Sequence, residues 1–335
     1  MDDLQPPSWR KILIIRFSSI GDIVLTTPVV RAIKEQNPNA SIHYLTKKNF
    51  EEITANNPYI DKVHLFNGDL QCTVKALKQE QFDFVIDLQH NRRSCRITSA
   101  LKRPYKSFSK LNIQKWLLVN FKLDFMPDKH IVNRYFEAAL PLQVKNDGKG
   151  LDFFISEKEV FDVMDLPAVF EDGYVAVSLA ATYGTKRIPT RKLIEIGRLL
   201  YKPMLLLGGH DVIELGEEVA LELGEKVYNG CGKFSIHQSA SIIQQSDCVL
   251  TGDTGLMHIA AALHKPIASL WGNTVPELGM YPYMPEERSL FRIFEVPGLP
   301  CRSCSKLGYK RCPLGHFKCM QNIPALDVAE WINLF

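Results

Sequence analysis

One feature restricts this chain more than any other: an alternation, kept almost from end to end, of short Ile/Val/Leu-rich runs and stretches of helical spacing. In the first half the strand-like runs are 11–17, 41–47, 62–66 and 82–89, with helical patterns at 22–36, 50–56, 69–80 and 92–101. The pattern restarts with runs at 174–181, 203–209, 226–230, 247–251 and 266–271, and helical stretches at 191–200, 213–223, 235–245 and 255–263. Apolar strands separated by helices predict parallel sheets covered on both faces, because each crossover lays a helix across the sheet. Two such arrays predict an α/β protein of two doubly wound, Rossmann-like domains facing a central cleft. At roughly 100–200 residues per domain, a length of 335 agrees. Turn-forming Asn146-Asp-Gly-Lys-Gly150 and Pro167 mark the crossing, so the domains are expected at 1–165 and 166–320, with a terminal helix in 321–335.

Composition excludes several classes. With 46% hydrophobic and 23% charged residues the chain is neither disordered nor fibrous. No apolar run approaches the ~18 residues that span a bilayer. The start, residues 1–10, lacks the basic flank and apolar core of a secretory signal, which implies a cytoplasmic protein whose eight Cys are reduced thiols or metal ligands. The net charge of +3 hides an asymmetry: residues 1–150 carry 23 basic against 15 acidic residues, and 151–335 carry 17 against 22. Residues 88–123 hold nine basic residues and no acid, a surface that attracts polyanions.

Three stretches at strand ends carry the chemistry. In Arg16-Phe-Ser-Ser-Ile-Gly-Asp22, Gly21 suits a tight turn, and Asp22 either caps a helix or offers a carboxylate to a ligand. The spacing is not that of a dinucleotide fingerprint. In Gly252-Asp-Thr-Gly255 a strand runs into a helix start, where N–H groups, the Thr254 hydroxyl and the helix dipole would cradle a phosphate, with His258 one turn on. Asp253 would repel that phosphate, so it is expected to orient loop N–H groups or a sugar hydroxyl; the alternative is a plain cap on an Ala-rich packing helix. In Ala181-Thr-Tyr-Gly-Thr-Lys186, Thr182, Thr185 and Lys186 suit hydrogen bonding and charge neutralisation at a diphosphate.

Together these stretches resemble the family 9 glycosyltransferases, the ADP-heptose–lipopolysaccharide heptosyltransferases of Gram-negative bacteria. Asp-Thr-Gly-Leu-Met-His-Ile-Ala-Ala-Ala at 253–262 matches the family pattern D-T/S-G-x-x-H-x-x-A-A, and Ser18-Ser-Ile-Gly-Asp22 with Pro28 matches its N-terminal signature. The resemblance implies a GT-B fold, acceptor domain first and nucleotide-sugar domain second. It implies Asp22 as the catalytic carboxylate of an inverting transfer of heptose from ADP-heptose to the inner core (Kdo/heptose region) of lipopolysaccharide. It assigns the donor to Thr182, Thr185, Lys186, Asp253, Thr254, Gly255 and His258, with Phe234 at the adenine and Glu214 at the ribose. Ser19, Arg92, Arg93 and Arg96 are expected to meet the lipid A–Kdo acceptor, the last three as guanidinium forks for carboxylate or phosphate.

No Asp-x-Asp pair stands at a strand end, so catalysis is expected to need no metal or other cofactor. Cys301-x-x-Cys304 with Cys312 and Cys319 has the look of a structural zinc site, although the second pair is spaced x₆; a redox-labile cluster and packing thiols are the alternatives. Residues 110–122 interleave apolar groups with Lys around Trp116, which suits either a peripheral contact with the inner membrane's cytoplasmic face or a core helix with a basic face. A nucleic-acid partner is not expected, because the aromatic residues lack an RNA-binding pattern. The rival class is a nucleotide- or polyanion-binding protein without catalysis. Another nucleotide sugar or acceptor is the rival within the enzyme class.

Overall fold

The structure, a computed structural model, describes residues 9–335; the reading of the first eight residues lies outside it. The chain divides into two compact units, one of the described residues up to Lys110 with Lys129–Phe154, the other of Leu111–Asp128 with Ile155–Phe335. The first unit holds β1 (Lys11–Ile15), α1 (Ile20–Val24), α2 (Thr27–Gln36), β2 (Ser41–Lys47), α3 (Glu51–Ala55), β3 (Lys62–Phe66), α4 (Leu70–Gln79), β4 (Phe84–Asp87), α5 (Arg92–Leu101) and β5 (Tyr105–Ser107). After α6 (Asn112–Phe121), which belongs to the second unit, α7 (Ile131–Ala139) completes the first. The second unit continues with β6 (Val175–Ser178), α8 (Thr190–Gly197), β7 (Met204–Leu207), α9 (Ile213–Leu223), β8 (Val227–Asn229), α10 (Ile236–Gln245), β9 (Cys248–Gly252), α11 (Gly255–Ala262), β10 (Ile267–Trp271), β11 (Phe291–Glu295), α12 (Lys318–Gln321) and α13 (Ala325–Ile332).

All pairings are parallel. The first sheet runs β3-β2-β1-β4-β5, with Ile12–Ile15 beside Ile42–Leu45 on one side and Phe84–Asp87 on the other. The second runs β11-β10-β9-β6-β7-β8. Each order reverses once, between β1 and β4 and between β6 and β9, and the carboxyl ends of strands flanking such a reversal open a crevice for ligands. The central strands are buried on both faces: Ile12, Leu13, Ile14 and Ile15 in β1, and Val249 and Leu250 in β9, are at most 1% exposed. The two-sheet α/β architecture expected of the GT-B class is therefore present.

The unit boundaries differ from the expected break at 165. Residues 156–161 are laced to α10: the Ser156 N–H donates to His237 Nδ1 (3.3 Å), the Phe161 N–H to Ser241 Oγ (3.0 Å), and Ser235 Oγ to the Glu159 carboxylate (2.6 Å). The expected terminal helix is α13, which buries Val328, Ala329, Trp331 and Ile332 in the core of the second unit. Helix α6 belongs to that unit because Leu118 packs with Val275 and Leu278.

Candidate functional site

The loop after β1 is built around Arg16. Its guanidinium, 9% exposed, donates to the Leu88 and Ser18 carbonyls, and its Nη2 meets Asp22 Oδ1 at 2.5 Å. Asp22 Oδ2 accepts from the Ser19 N–H (3.1 Å) and the Ser19 hydroxyl (2.8 Å). Ser19 is the N-cap of α1 and Asp22 its third residue, so the carboxylate reaches back as in a capping box. Burial pushes the Asp22 carboxyl up, but Arg16 and Ser19 outweigh it and hold it below the usual carboxylate value. The loop after β4 is tied to the same place by Gln89 Oε1, which accepts the Phe17 N–H at 2.8 Å.

Several expectations change here. Gly21 is not in a turn; it is buried within α1, because the helix begins at Ile20. Ser19, expected at the acceptor, gives its N–H and hydroxyl hydrogen to Asp22. Asp22 is both helix cap and fixed carboxylate, so those readings are not alternatives. Arg16 is the residue that sequence reasoning missed. Its signal was a basic residue at the end of an otherwise apolar run, six positions before an acid. Arg92, Arg93 and Arg96 stand exposed in the first two turns of α5, just beyond β4, with Asn91 capping the helix through Arg93 N–H (2.9 Å) and Ser94 N–H (3.0 Å).

In the second unit the loops after β6 and β9 meet. Lys186 Nζ pairs with Asp253 Oδ2 at 2.5 Å, and the Thr274 hydroxyl donates to the same oxygen at 2.9 Å. Asp253 is thus held by Lys186 and Thr274. A side chain at Gly252 would come within 2.3 Å of the Lys186 carbonyl, so only glycine allows this approach. Thr254 is the N-cap of α11, but its hydroxyl lies in a buried chain with Thr251 (3.0 Å) and Ser178 (3.3 Å). What α11 offers an anion is its first N–H groups at Gly255 and beyond, which have no intrahelical partner. His258 is buried one turn in.

Thr185 departs from its expected role too. Its hydroxyl is buried and clasps the tail, donating to the Tyr309 carbonyl (3.1 Å) and accepting the Tyr309 N–H (2.8 Å). Thr182 is exposed, and Glu214 is exposed in the first turn of α9. Nearer the β6 loop, Asp211 pairs with Arg187, whose guanidinium also holds the Ala181 carbonyl (3.1 Å). Phe234 is half-buried among aromatic rings, edge-on to Phe161 (5.0 Å) and stacked on Tyr228 (6.5 Å).

Among the described residues the four tail cysteines do not gather three Sγ atoms within 4.8 Å of one another; Cys304 is pushed up by burial and then by Cys301 and Cys312, and Cys319 is pushed up to about 11 by burial and then by the other three. Cys301 Sγ lies 4.0 Å from His316 Nε2. Among the described residues, the group whose metal-type ligand atoms all lie within 4.8 Å is a different one, His43, His64 and Glu80. There the Glu80 carboxylate is already taken by Lys11 (2.7 Å) and Lys62 (2.5 Å), and the imidazoles bond each other at 2.8 Å. That cluster satisfies its own charge.

Residues 72–305 match the model of glycosyltransferase family 9 (heptosyltransferase). Lipopolysaccharide heptosyltransferase 1 of Campylobacter coli is 25% identical over 79% of this chain and 84% of its own length. Lipooligosaccharide heptosyltransferase 2 of Haemophilus influenzae is 24% identical over 89% of this chain and 92% of that one. Among solved structures, the E. coli ADP-heptose lps heptosyltransferase II superposes with a TM-score of 0.74 over 97% of this chain and 98% of that chain, at 20% identity.

Proposed function

Because the chain belongs to glycosyltransferase family 9, we propose that it moves heptose from ADP-heptose to the inner core of lipopolysaccharide, with inversion at the anomeric carbon. The observation that carries this reading is the pairing of chemistries at the two sheet reversals. One holds a fixed, ionised carboxylate at Asp22. The other holds a lysine braced at a glycine-lined helix start. In this mechanism Asp22 takes the proton of the acceptor hydroxyl as that oxygen attacks, and the bond from the anomeric carbon to the ADP oxygen breaks. One carboxylate suffices for a single displacement, whereas double displacement needs an enzymic nucleophile as well. Charge growing on ADP is met by Lys186 and the α11 N–H groups, so no divalent cation is needed at the diphosphate. Phe234 stacks on adenine and Glu214 binds the ribose.

The acceptor is a lipid-borne, acidic sugar meeting the first unit at Arg92, Arg93 and Arg96, and the enzyme works at the cytoplasmic face of a membrane. Purified protein offered a panel of nucleotide sugars should release ADP from ADP-heptose in an acceptor-dependent way. Tight ADP binding without turnover of any donor would favour the non-catalytic reading. Changing the three arginines to Gln should raise the acceptor KM far more than the donor KM. An unchanged acceptor KM removes them from the acceptor site. We also propose that Cys301, Cys304, Cys312 and Cys319 hold a structural cation, a role outside the chemistry.

A further inference from the structure

Gln89 follows β4 on the loop that is tied to the Asp22 site, and the fold uses only half of its amide. Its Oε1 accepts the Phe17 N–H at 2.8 Å, which fixes how the amide is turned. Nε2, with two N–H donors, is thereby aimed away from Phe17 and has no hydrogen-bond partner among the described residues. The side chain is half-buried and Nε2 is not among the enclosed unpartnered atoms, so both donors are open to a ligand.

The backbone that carries Gln89 is held firmly. Asp87, 1% exposed, accepts the Gln89 N–H (3.0 Å) and the His90 N–H (2.7 Å) on Oδ1 and the Ser94 hydroxyl (2.7 Å) on Oδ2. His90 has φ 45°, a left-handed conformation that few residues with a side chain adopt, and its Nδ1 donates to the Phe108 carbonyl at 3.2 Å. Such conformations persist where surrounding bonds over-determine them, and they gather at ligand sites. Arg16 sets this loop beside the carboxylate. One nitrogen of its guanidinium grips the carbonyl of Leu88, the residue before Gln89, and another grips Asp22 Oδ1. Asp22 Oδ2 is filled by the Ser19 N–H and hydroxyl, whereas Oδ1 has Arg16 alone and keeps a lone pair for a proton. The β1–β4 reversal of the first sheet therefore presents a proton acceptor and, beside it, a neutral pair of donors.

We propose that Gln89 binds the acceptor sugar, its Nε2 N–H groups donating to a sugar oxygen beside the hydroxyl whose proton Asp22 takes. No bond is made or broken at Gln89. Its contact is with the sugar before and during attack, so its loss raises the acceptor KM and leaves kcat nearly as it is. This role rests on the transferase reading above, and a binding measurement without donor separates the two.

Two substitutions divide the donors from the brace. Gln89→Glu keeps an oxygen for the Phe17 N–H, removes the N–H donors and adds a negative charge. Gln89→Leu removes brace and donors together and adds no charge. Gln89→Leu should raise the acceptor KM about five- to tenfold, as expected for one lost hydrogen bond between neutral groups, and Gln89→Glu should raise it further. At neutral pH the ADP-heptose KM and kcat should stay near wild type in Gln89→Glu, and only Gln89→Leu should lower the melting temperature. A Gln89→Glu enzyme with the wild-type acceptor KM makes the residue a brace alone and overturns the proposal. So does a Gln89→Leu enzyme with that KM unchanged, since charge alone then explains the other variant. Saturation-transfer NMR on the full chain with the methyl glycoside of Kdo needs no turnover. If the wild type turns over no ADP-heptose yet binds this glycoside, and both variants bind it at least about fivefold more weakly, the transferase reading fails and Gln89 stands as a sugar-binding residue. Wild-type protein that neither turns over the donor nor binds the glycoside overturns both.

Discussion

Asp22 meets Arg16 through one oxygen and Ser19 through the other, and this double engagement sets what its substitution will do. Its folded pKa lies below the ordinary carboxylate value, so the pair's stabilising contribution is present above that value. It is lost as pH falls through the folded pKa. Activity that needs the ionised base should follow the same sign, with its acid limb below the usual range near 3.9. Asp22→Asn should cut turnover at least ~10²-fold with ADP affinity nearly intact. It should also lower the melting temperature, because the almost buried Arg16 guanidinium loses its partner. Arg16→Met, if it folds, should move the acid limb of kcat upward. Normal turnover in Asp22→Asn would reduce the residue to a helix cap. The donor lysine is coupled in a similar way. Removing a charge-assisted bond to a phosphate costs about 1.5–3 kcal/mol, so Lys186→Ala should weaken ADP binding at least about tenfold. Since that variant also leaves Asp253 unpaired beside the anion, adding Asp253→Asn should restore part of the affinity by calorimetry. An undiminished ADP affinity in Lys186→Ala would discard the assignment. These couplings were not legible in the sequence. The motifs brought Asp22, Lys186 and Asp253 forward singly, but nothing in the spacing shows which loop partner each one grips.

At the scale of elements, the sequence was informative for the strands buried on both faces and for the half-buried edges β3 and β8, and silent at the other two edges. Strands β1, β2, β3, β4 and β6 to β10 all fall within or beside the apolar runs. The two that escaped notice, β5 and β11, are the sheet edges on one side of each order. Their residues are Tyr-Lys-Ser and Phe-Arg-Ile-Phe-Glu, mostly exposed or half-buried, so neither makes an unbroken apolar run. The stretch expected as one helix, 22–36, is two, α1 and α2, with Pro28 in the first turn of the second. Proline is tolerated there, where its missing N–H has no intrahelical acceptor to lose. The tail is the element whose role in the fold was least visible. Thr185 clasps Tyr309 through both its N–H and its carbonyl, which fixes the tail against the β6 loop. A cation held by the four cysteines would steady that clasp. Purified protein should therefore carry about one equivalent of zinc by elemental analysis. A strong chelator should lower thermal stability, while activity measured in a mild chelator persists. Metal-free protein of full stability would leave the thiols as packing groups.

For the whole molecule, the consequence is that the nucleotide should act on one unit. The described chain folds as two units with separate sheets, and the segments that cross between them in sequence, 111–128 and 155–165, are captured by the second. Each sheet buries its own central strands, so each unit has its own core and can open on its own. All the residues assigned to the donor lie in the second unit. A ligand that binds only the folded form of that unit raises its opening free energy by RT ln(1 + [L]/Kd), about 2.7 kcal/mol at a hundredfold excess over Kd. In a unit of this size that corresponds to a rise of roughly 5–10 °C in melting temperature. Hydrogen exchange with saturating ADP should therefore slow in β6, β7, β9, α11 and α13 alike, because all report opening of the same core. Peptides from β1, β2 and α2 should exchange as they do without ligand. The informative segment is α6. It sits between two stretches of the first unit in sequence, yet it packs on Val275 and Leu278 of the second. Protection of α6 by ADP, with its neighbours in sequence unprotected, would demonstrate that division in solution. Exchange in α6 that follows the first unit instead would mean the helix is anchored elsewhere, and that the boundaries drawn here are wrong.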